Sequence, residues 1–178
     1  MVHRWLDQSS SLLFFFTIYA FFGWWIENIY NFFTVGHFLK PNFWVGPFKP
    51  MYGEAPVLLI VLISPKTRKT VVLFLCALVP TIVEYISGAL LVYFTDRKWW
   101  DYSHLPFQLH GHVSLLFSLA WIILSLLCLK IIHPKIVIAF HSIKPVWTKF
   151  VPFIILYFLL ETFVAVQRFS NNLDYVFN

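Results

Sequence analysis

Residues 11–34 read "SLLFFFTIYAFFGWWIENIYNFFT" and hold no Lys, no Arg, no Asp and a single Glu. A run of about 20 apolar residues is long enough to carry a helix across a bilayer's hydrocarbon core. Comparable runs recur at about 71–94, 112–132 and 150–167. In lipid every backbone group must be satisfied internally, so only helices or a closed barrel can span. The runs are continuous rather than alternating, which selects helices. Composition agrees: 60% of residues are hydrophobic and 12% charged, against about 25% charged in soluble domains. The expectation is a single all-α integral membrane domain over 1–178, a polytopic helical bundle.

Between the first and third runs lies "VGHFLKPNFWVGPFKPMYG" (35–53), too rich in Pro and Gly for a regular helix. A second span over about 54–63 is marginally long unless it starts near Pro50, and its alternative is a re-entrant segment. The stretch 134–147 mixes apolar and basic residues over too short a run to cross, as an interfacial helix does. The expected architecture is therefore about five spans with that Pro/Gly-rich segment and the interfacial helix. The first run is longer than a signal-peptide core and lacks a cleavage site, so it reads as an uncleaved anchor.

Alternate loops divide the cations unequally. One side holds Arg4, Lys66, Arg68, Lys69, Lys130, Lys135, Lys144 and Lys149; the other holds Lys40, Lys49, Arg97, Lys98 and Arg168. By the positive-inside rule the N-terminus is cytoplasmic, the C-terminus extracytoplasmic, and the protein sits in the cytoplasmic membrane. The same topology brings the loops 35–53 and 97–112 out on one, outer side. The net charge of +5 is spread over these short clusters facing lipid headgroups, which excludes nucleic acid as a partner. Cys76 and Cys128 fall inside spans and read as small core hydrophobes.

All four glutamates, Glu27, Glu54, Glu84 and Glu161, lie in or beside apolar runs, whereas the four aspartates lie outside them. A carboxylate inside the bilayer needs a partner, a proton or a water-filled cavity. At a rise of about 1.5 Å per residue, Glu27, Glu84 and Glu161 come out at a similar depth, roughly 17–24 Å from the inner ends of their spans. Each span carries a stripe of small and polar residues at helical spacing: Tyr19, Gly23, Glu27 and Asn31; Ala77, Thr81, Glu84 and Gly88; Ser114, Ser118, Trp121 and Ser125. Such stripes let helices approach closely and hydrogen-bond. The three carboxylates are thus expected to converge under the outer loops, where a shared dry site allows one or more to be protonated. Trp24, Trp25, Tyr19 and Tyr85 at that level would suit an organic cation, and equally serve packing.

His104, His110 and His112 lie near Asp101 in "RKWWDYSHLPFQLHGH" (97–112). Their spacing allows a metal site, but histidines in an interfacial loop serve many purposes, and no metal is assigned. No Walker A, GxSxG or HExxH motif occurs, so no cofactor is expected and any driving ATPase is another chain.

The segments "FFGWWIENIY" (21–30), "GPFKPMYG" (46–53), "VEYISGALLVYF" (83–94), "WWDYS" (99–103) and "FQLHGHVSLLFSLAW" (107–121) occur in order. Over about 12–134 they resemble the small bacterial membrane proteins named the "putative ABC-transporter type IV permease" family. The resemblance implies functional positions at Trp25 and Glu27, at Pro47, Pro50, Tyr52 and Gly53, at Glu84, Tyr85 and Gly88, and at Trp100, Asp101, Tyr102 and Ser103. The chain departs from the family pattern at Tyr93, Gln108 and His112.

The expected function is a permease or substrate-capture subunit with an outward-facing polar pocket for a small cationic or amphipathic solute. Glu27, Glu84 and Glu161 would form its floor, with Pro47–Gly53 and Trp99–Ser103 as the rim. Its partners would be the bilayer, a separate ATPase or other membrane subunit, and the small-molecule or lipid ligand. A membrane-embedded enzyme acting on a lipid or isoprenoid-like substrate is the alternative, with Glu27 or Glu84 as acid and Asp101 or a histidine as base. A structural or regulatory subunit without a ligand is the third reading.

Overall fold

The computed structural model describes residues 2–170, with side chains from 8 to 169. The side chains of Arg4 and Trp5, and the C-terminus, lie outside the described residues. Helices α1 (Val2–Val35), α2 (Pro50–Leu62) and α3 (Lys69–Thr95) are followed by a small antiparallel hairpin of β1 (Gln108–Leu109) and β2 (Val113–Ser114). Helix α4 (Leu115–Leu127), a π-turn (Cys128–Ile132) and α5 (His133–Ser170) complete the described residues. The architecture is an all-α bundle. Among the described residues, three helical stretches are long and apolar enough to cross a membrane: Gln8–Val35, Lys69–Thr95 and Leu115–Phe169.

The last of these absorbs three elements expected to be separate, the spans at 112–132 and 150–167 and the interfacial helix at 134–147. Pro145 and Pro152 sit inside α5 without ending it, since an interior proline removes one hydrogen bond and kinks a helix rather than always breaking it. A straight helix of this length would hold its ends about 80 Å apart. Here both ends meet the same loop. Trp99 lies 5.5 Å from Phe169 between ring centroids, and the adjacent Trp100 donates from Nε1 to the His112 carbonyl at 2.8 Å, just before α4. The middle of α5 packs at the far end of α1, with Phe140 against Phe14 and Phe15 and Trp147 Nε1 donating to the Ser10 carbonyl at 3.0 Å. The helical run therefore goes down the bundle and doubles back.

Helix α2 spans only 13 residues, about 20 Å, short of the roughly 30 Å of hydrocarbon. It begins part-way along α1, where the Lys49 amide donates to the Ala20 carbonyl at 3.0 Å. Gly23 makes this approach possible: a Cβ there would fall 2.2 Å from that of Tyr52. The chain reaches α2 through the irregular segment 36–49, which runs back beside α1. Nonhelical backbone at such depth is tolerated only where protein or a cavity satisfies it. Lys40 N donates to buried Asn28 Oδ1 at 2.8 Å, and Asn42 Nδ2 donates to the carbonyls of Gly46 and Phe48. The second traversal is thus part irregular and part helical, which is why its helical run looked marginal.

The two long loops meet at one end of the bundle, where Phe43 sits 6.4 Å from Trp99. Helices α3 and α4 join along the expected stripes. Thr81 donates to Ser118 Oγ at 3.0 Å, and Trp121 Nε1 donates to Glu84 Oε2 at 2.9 Å. Helix α4 starts at Leu115 rather than at 112 because the hairpin takes up the preceding residues, and Ser114 serves as its N-cap.

Candidate functional site

Glu27 points from α1 toward two cations of the irregular segment. Lys40 Nζ lies 2.8 Å and Lys49 Nζ 2.6 Å from its Oε2, with the carboxylate side chain only 12% exposed. The ordinary reading of Lys40 and Lys49 as topology-setting surface charges missed this. Segment 36–49 folds inward, and the lysines travel with it. Glu27 is therefore answered by counter-ions and not by a second carboxylate.

Glu84, 2% exposed on α3, has both oxygens engaged. Tyr102 donates its hydroxyl to Oε1 at 3.1 Å and Trp121 takes Oε2. Tyr102 is stacked on Phe117, with centroids 4.4 Å apart and planes at 15°. Burial, and then the neighbouring Glu84, push its phenol above the ordinary range, so it stays protonated and remains a donor.

Glu27 and Glu84 face one cavity of about 400 Å³. Ile26 and Tyr30 of α1, Met51 and Tyr52 of α2, and Phe117, Ala120, Trp121 and Leu124 of α4 also line it. Lys40, Trp100, Asp101, Tyr102 and His104 complete the lining from the loops. Tyr52 packs against Trp121 at 5.3 Å. Met51 and Tyr52 bring the first turn of α2 to the cavity wall.

Glu161 lies elsewhere. Its Oε2 accepts from Val45 N at 2.8 Å, and its Oε1 accepts from Gly46 N at 3.0 Å and from the Tyr157 hydroxyl at 2.7 Å. It holds the irregular segment against α5 and does not line the cavity. Gly46 belongs to the same contact, since a Cβ there would meet Tyr157 and Glu161. Among the other expected positions, Pro47, Pro50, Gly53, Tyr85, Gly88 and Ser103 do not line the cavity, and Trp25 is 41% exposed beside Trp24 and Phe38. Gly53 and Gly88 serve close approach, to Phe16 and to His112 with Trp100.

Within the loop, Asp101 forms a local turn. Its Oδ1 accepts from the Ser103 amide at 2.9 Å and from the Ser103 hydroxyl, and its Oδ2 meets Lys98 at 3.3 Å. The Ser103 bonds, then Lys98, hold its carboxyl down at about 2. The HGH motif is a hairpin turn. Three residues, 110–112, join the paired Leu109 and Val113; His110 and Gly111 take positive φ of +54° and +74°, and the His112 amide closes the turn on the Leu109 carbonyl at 3.1 Å. His110 pairs with the Tyr85 hydroxyl at 2.9 Å, while His112 is buried against Gly88. Among the described residues no group of three or more His, Cys, Asp and Glu side chains is placed to hold a metal ion.

No curated protein and no solved structure matches the chain. A family model does match, over residues 14–166, reaching beyond the expected 12–134 to take in most of α5. With three membrane-length apolar helices and this match, the chain belongs to the membrane-protein family described as "Putative ABC-transporter type IV".

Proposed function

We propose that this protein is a substrate-binding membrane subunit of an ATP-driven transporter, with the Glu27–Glu84 cavity as its binding pocket. The observation that carries this reading is the convergence of four buried or half-buried polar side chains, Glu27, Lys40, Glu84 and Tyr102, on one cavity inside an otherwise apolar bundle. Polar groups at such depth are costly, and they mark solute pathways in membrane proteins. The cation count favours an outward-facing pocket, with the segments 36–49 and 96–114 at the extracytoplasmic end. The ATPase would lie outside residues 1–178, which hold no nucleotide-binding motif.

The enzyme reading finds less support. Both oxygens of Glu84 accept hydrogen bonds, Glu27 is bound by two ammonium groups, and Asp101 is tied to Ser103 and Lys98. None of the three stands as an acid paired with a base.

The test is thermal stability of the detergent-solubilised protein across a solute panel. A ligand at 100 times its Kd stabilises by about 2.7 kcal/mol, which is readily seen as a rise in Tm. At least one solute class should raise Tm in wild type, and Ala120→Trp, which fills the cavity, should abolish the rise. A panel that never shifts wild type, or a shift that survives Ala120→Trp, overturns the assignment of this cavity.

A further inference from the structure

The geometry points to an amphiphile with an oxyanion head as the ligand, entering the cavity sideways from the bilayer between α1 and α4. This rests on the pocket reading above and narrows it.

The head chemistry follows from which groups retain unused hydrogen-bonding capacity. An ammonium has three donors. Lys40 Nζ spends one on Glu27, and its side chain, 25% exposed, lines the cavity. The carboxylates offer much less. Glu27 faces two cations through one oxygen, both Glu84 oxygens carry donors, and Asp101 is engaged by Lys98 and Ser103. Within the Glu27 cluster one carboxylate faces two ammonium groups, of which Lys40 lines the cavity and Lys49 lies buried behind it. The open donors of Lys40, the one lysine in the cavity lining, select an acceptor-rich head, while Glu27, Glu84 and Asp101 are already occupied by donors of their own. A carboxylate or phosphate monoester fits, and the cationic solute expected from the aromatic residues does not.

The tail chemistry follows from the walls. Ile26 and Tyr30 occupy one face of α1, and Phe117, Ala120 and Leu124 one face of α4. Ile26 is 47%, Tyr30 58% and Leu124 38% exposed, so the wall continues from the cavity to the outer, apolar surface of the bundle. These residues belong to helices long enough to cross a membrane, which makes that surface lipid-facing. The cavity thus has a polar, cation-bearing floor and an apolar side exit into acyl chains. A free soluble anion would use the floor and leave the apolar walls empty.

The experiment uses the full chain in phosphatidylcholine nanodiscs and a fatty acid carrying a mid-chain diazirine, with adducts mapped by mass spectrometry after irradiation. Adducts are expected on residues 26–30 and 117–124. Excess unlabelled fatty acid or lysophosphatidate should compete, whereas dodecyltrimethylammonium and inorganic phosphate should not. Lys40→Gln should lower this labelling at least tenfold, with Lys135→Gln as the control that leaves it unchanged, and Leu124→Trp should block it independently. Competition by the cationic amphiphile overturns the oxyanion head. Competition by inorganic phosphate assigns the floor to a soluble anion and overturns the amphiphile. Labelling spread evenly over all lipid-facing helices of wild type, with no competition, overturns the side entry. If those negative results accompany a solute-dependent Tm rise that Ala120→Trp removes, the pocket stands and only the amphiphile falls. If both are absent, the pocket falls with it.

Discussion

Asp101 shows how a conspicuous acid in the most polar loop of an apolar chain can act on its own backbone. It caps the turn at Ser103 and leaves the reach into the bundle to the adjacent Tyr102, whose hydroxyl meets Glu84. Its carboxyl sits at about 2 against an ordinary 3.8. A group depressed in the folded state contributes order that is present above its unfolded value and is lost as pH falls through the folded one. The loop should therefore loosen between about pH 4 and pH 2. Amide hydrogen exchange of residues 99–104 should rise across that window in wild type, and Asp101→Asn should flatten the dependence. An identical acid profile in both proteins would remove Asp101 from this role. At this scale the sequence was informative about which residues are buried and polar, since the three stripes and the placement of Glu27 and Glu84 follow directly from helical spacing. It was uninformative about partners. Nothing local in "GHFLKPNF" or "GPFKPMYG" says that Lys40 and Lys49 turn inward, because that depends on how a segment without a repeating pattern folds against α1.

The element that organises the site is the irregular segment 36–49, and its anchor is Glu161. Two amides, a tyrosine hydroxyl and one carboxylate form a closed set. Glu161→Ala would leave the half-buried Val45 N and Gly46 N without this acceptor, at a cost toward or below the lower end of the roughly 1–3 kcal/mol of a fully buried orphaned group. A Tm drop of several degrees is expected in detergent, while Glu161→Gln, which keeps an acceptor oxygen, should lose less than half as much. Equal losses for the two variants would mean that charge, not hydrogen bonding, fixes the segment. The depth estimate drawn from helix rise did put Glu161 near the outer loops. Depth alone cannot say which way a side chain faces, and so the expected three-carboxylate floor is a pair with a separate brace. The separate interfacial helix failed as an expectation for a related reason: prolines and basic residues mark where a helix bends as readily as where it stops.

For the molecule as a whole, the decisive feature is that the run from Leu115 to Phe169 returns to the end from which it started. A cysteine pair at Trp99→Cys and Phe169→Cys should be bridged by a short bifunctional maleimide in a Cys76→Ser, Cys128→Ser background, because the native rings lie 5.5 Å apart and the reagent replaces the reach of the two lost rings. A pair at Trp99→Cys and Trp147→Cys should not, since Trp147 bonds at the opposite end of α1. Crosslinking of the second pair, or failure of the first in folded protein, would contradict the doubled-back path. Membrane residence and helix class were readable from composition and run length. The number of separate helices was not, because a hydropathy pattern records how much apolar chain exists and is silent on where it turns.

The brace at Glu161 also sets an order of events in the making of the protein. Val45 and its acceptor are separated by 116 positions in the chain. At a synthesis rate of about 5–20 residues per second, some 6–23 s pass between their appearances. During that interval α1 and α2 already exist, yet the stretch joining them lacks the oxygen atoms that later quiet its amides. It must spend that time hydrated or sheltered by the insertion machinery. The segment that carries Lys40 therefore gains its brace only when the last helical stretch docks against it.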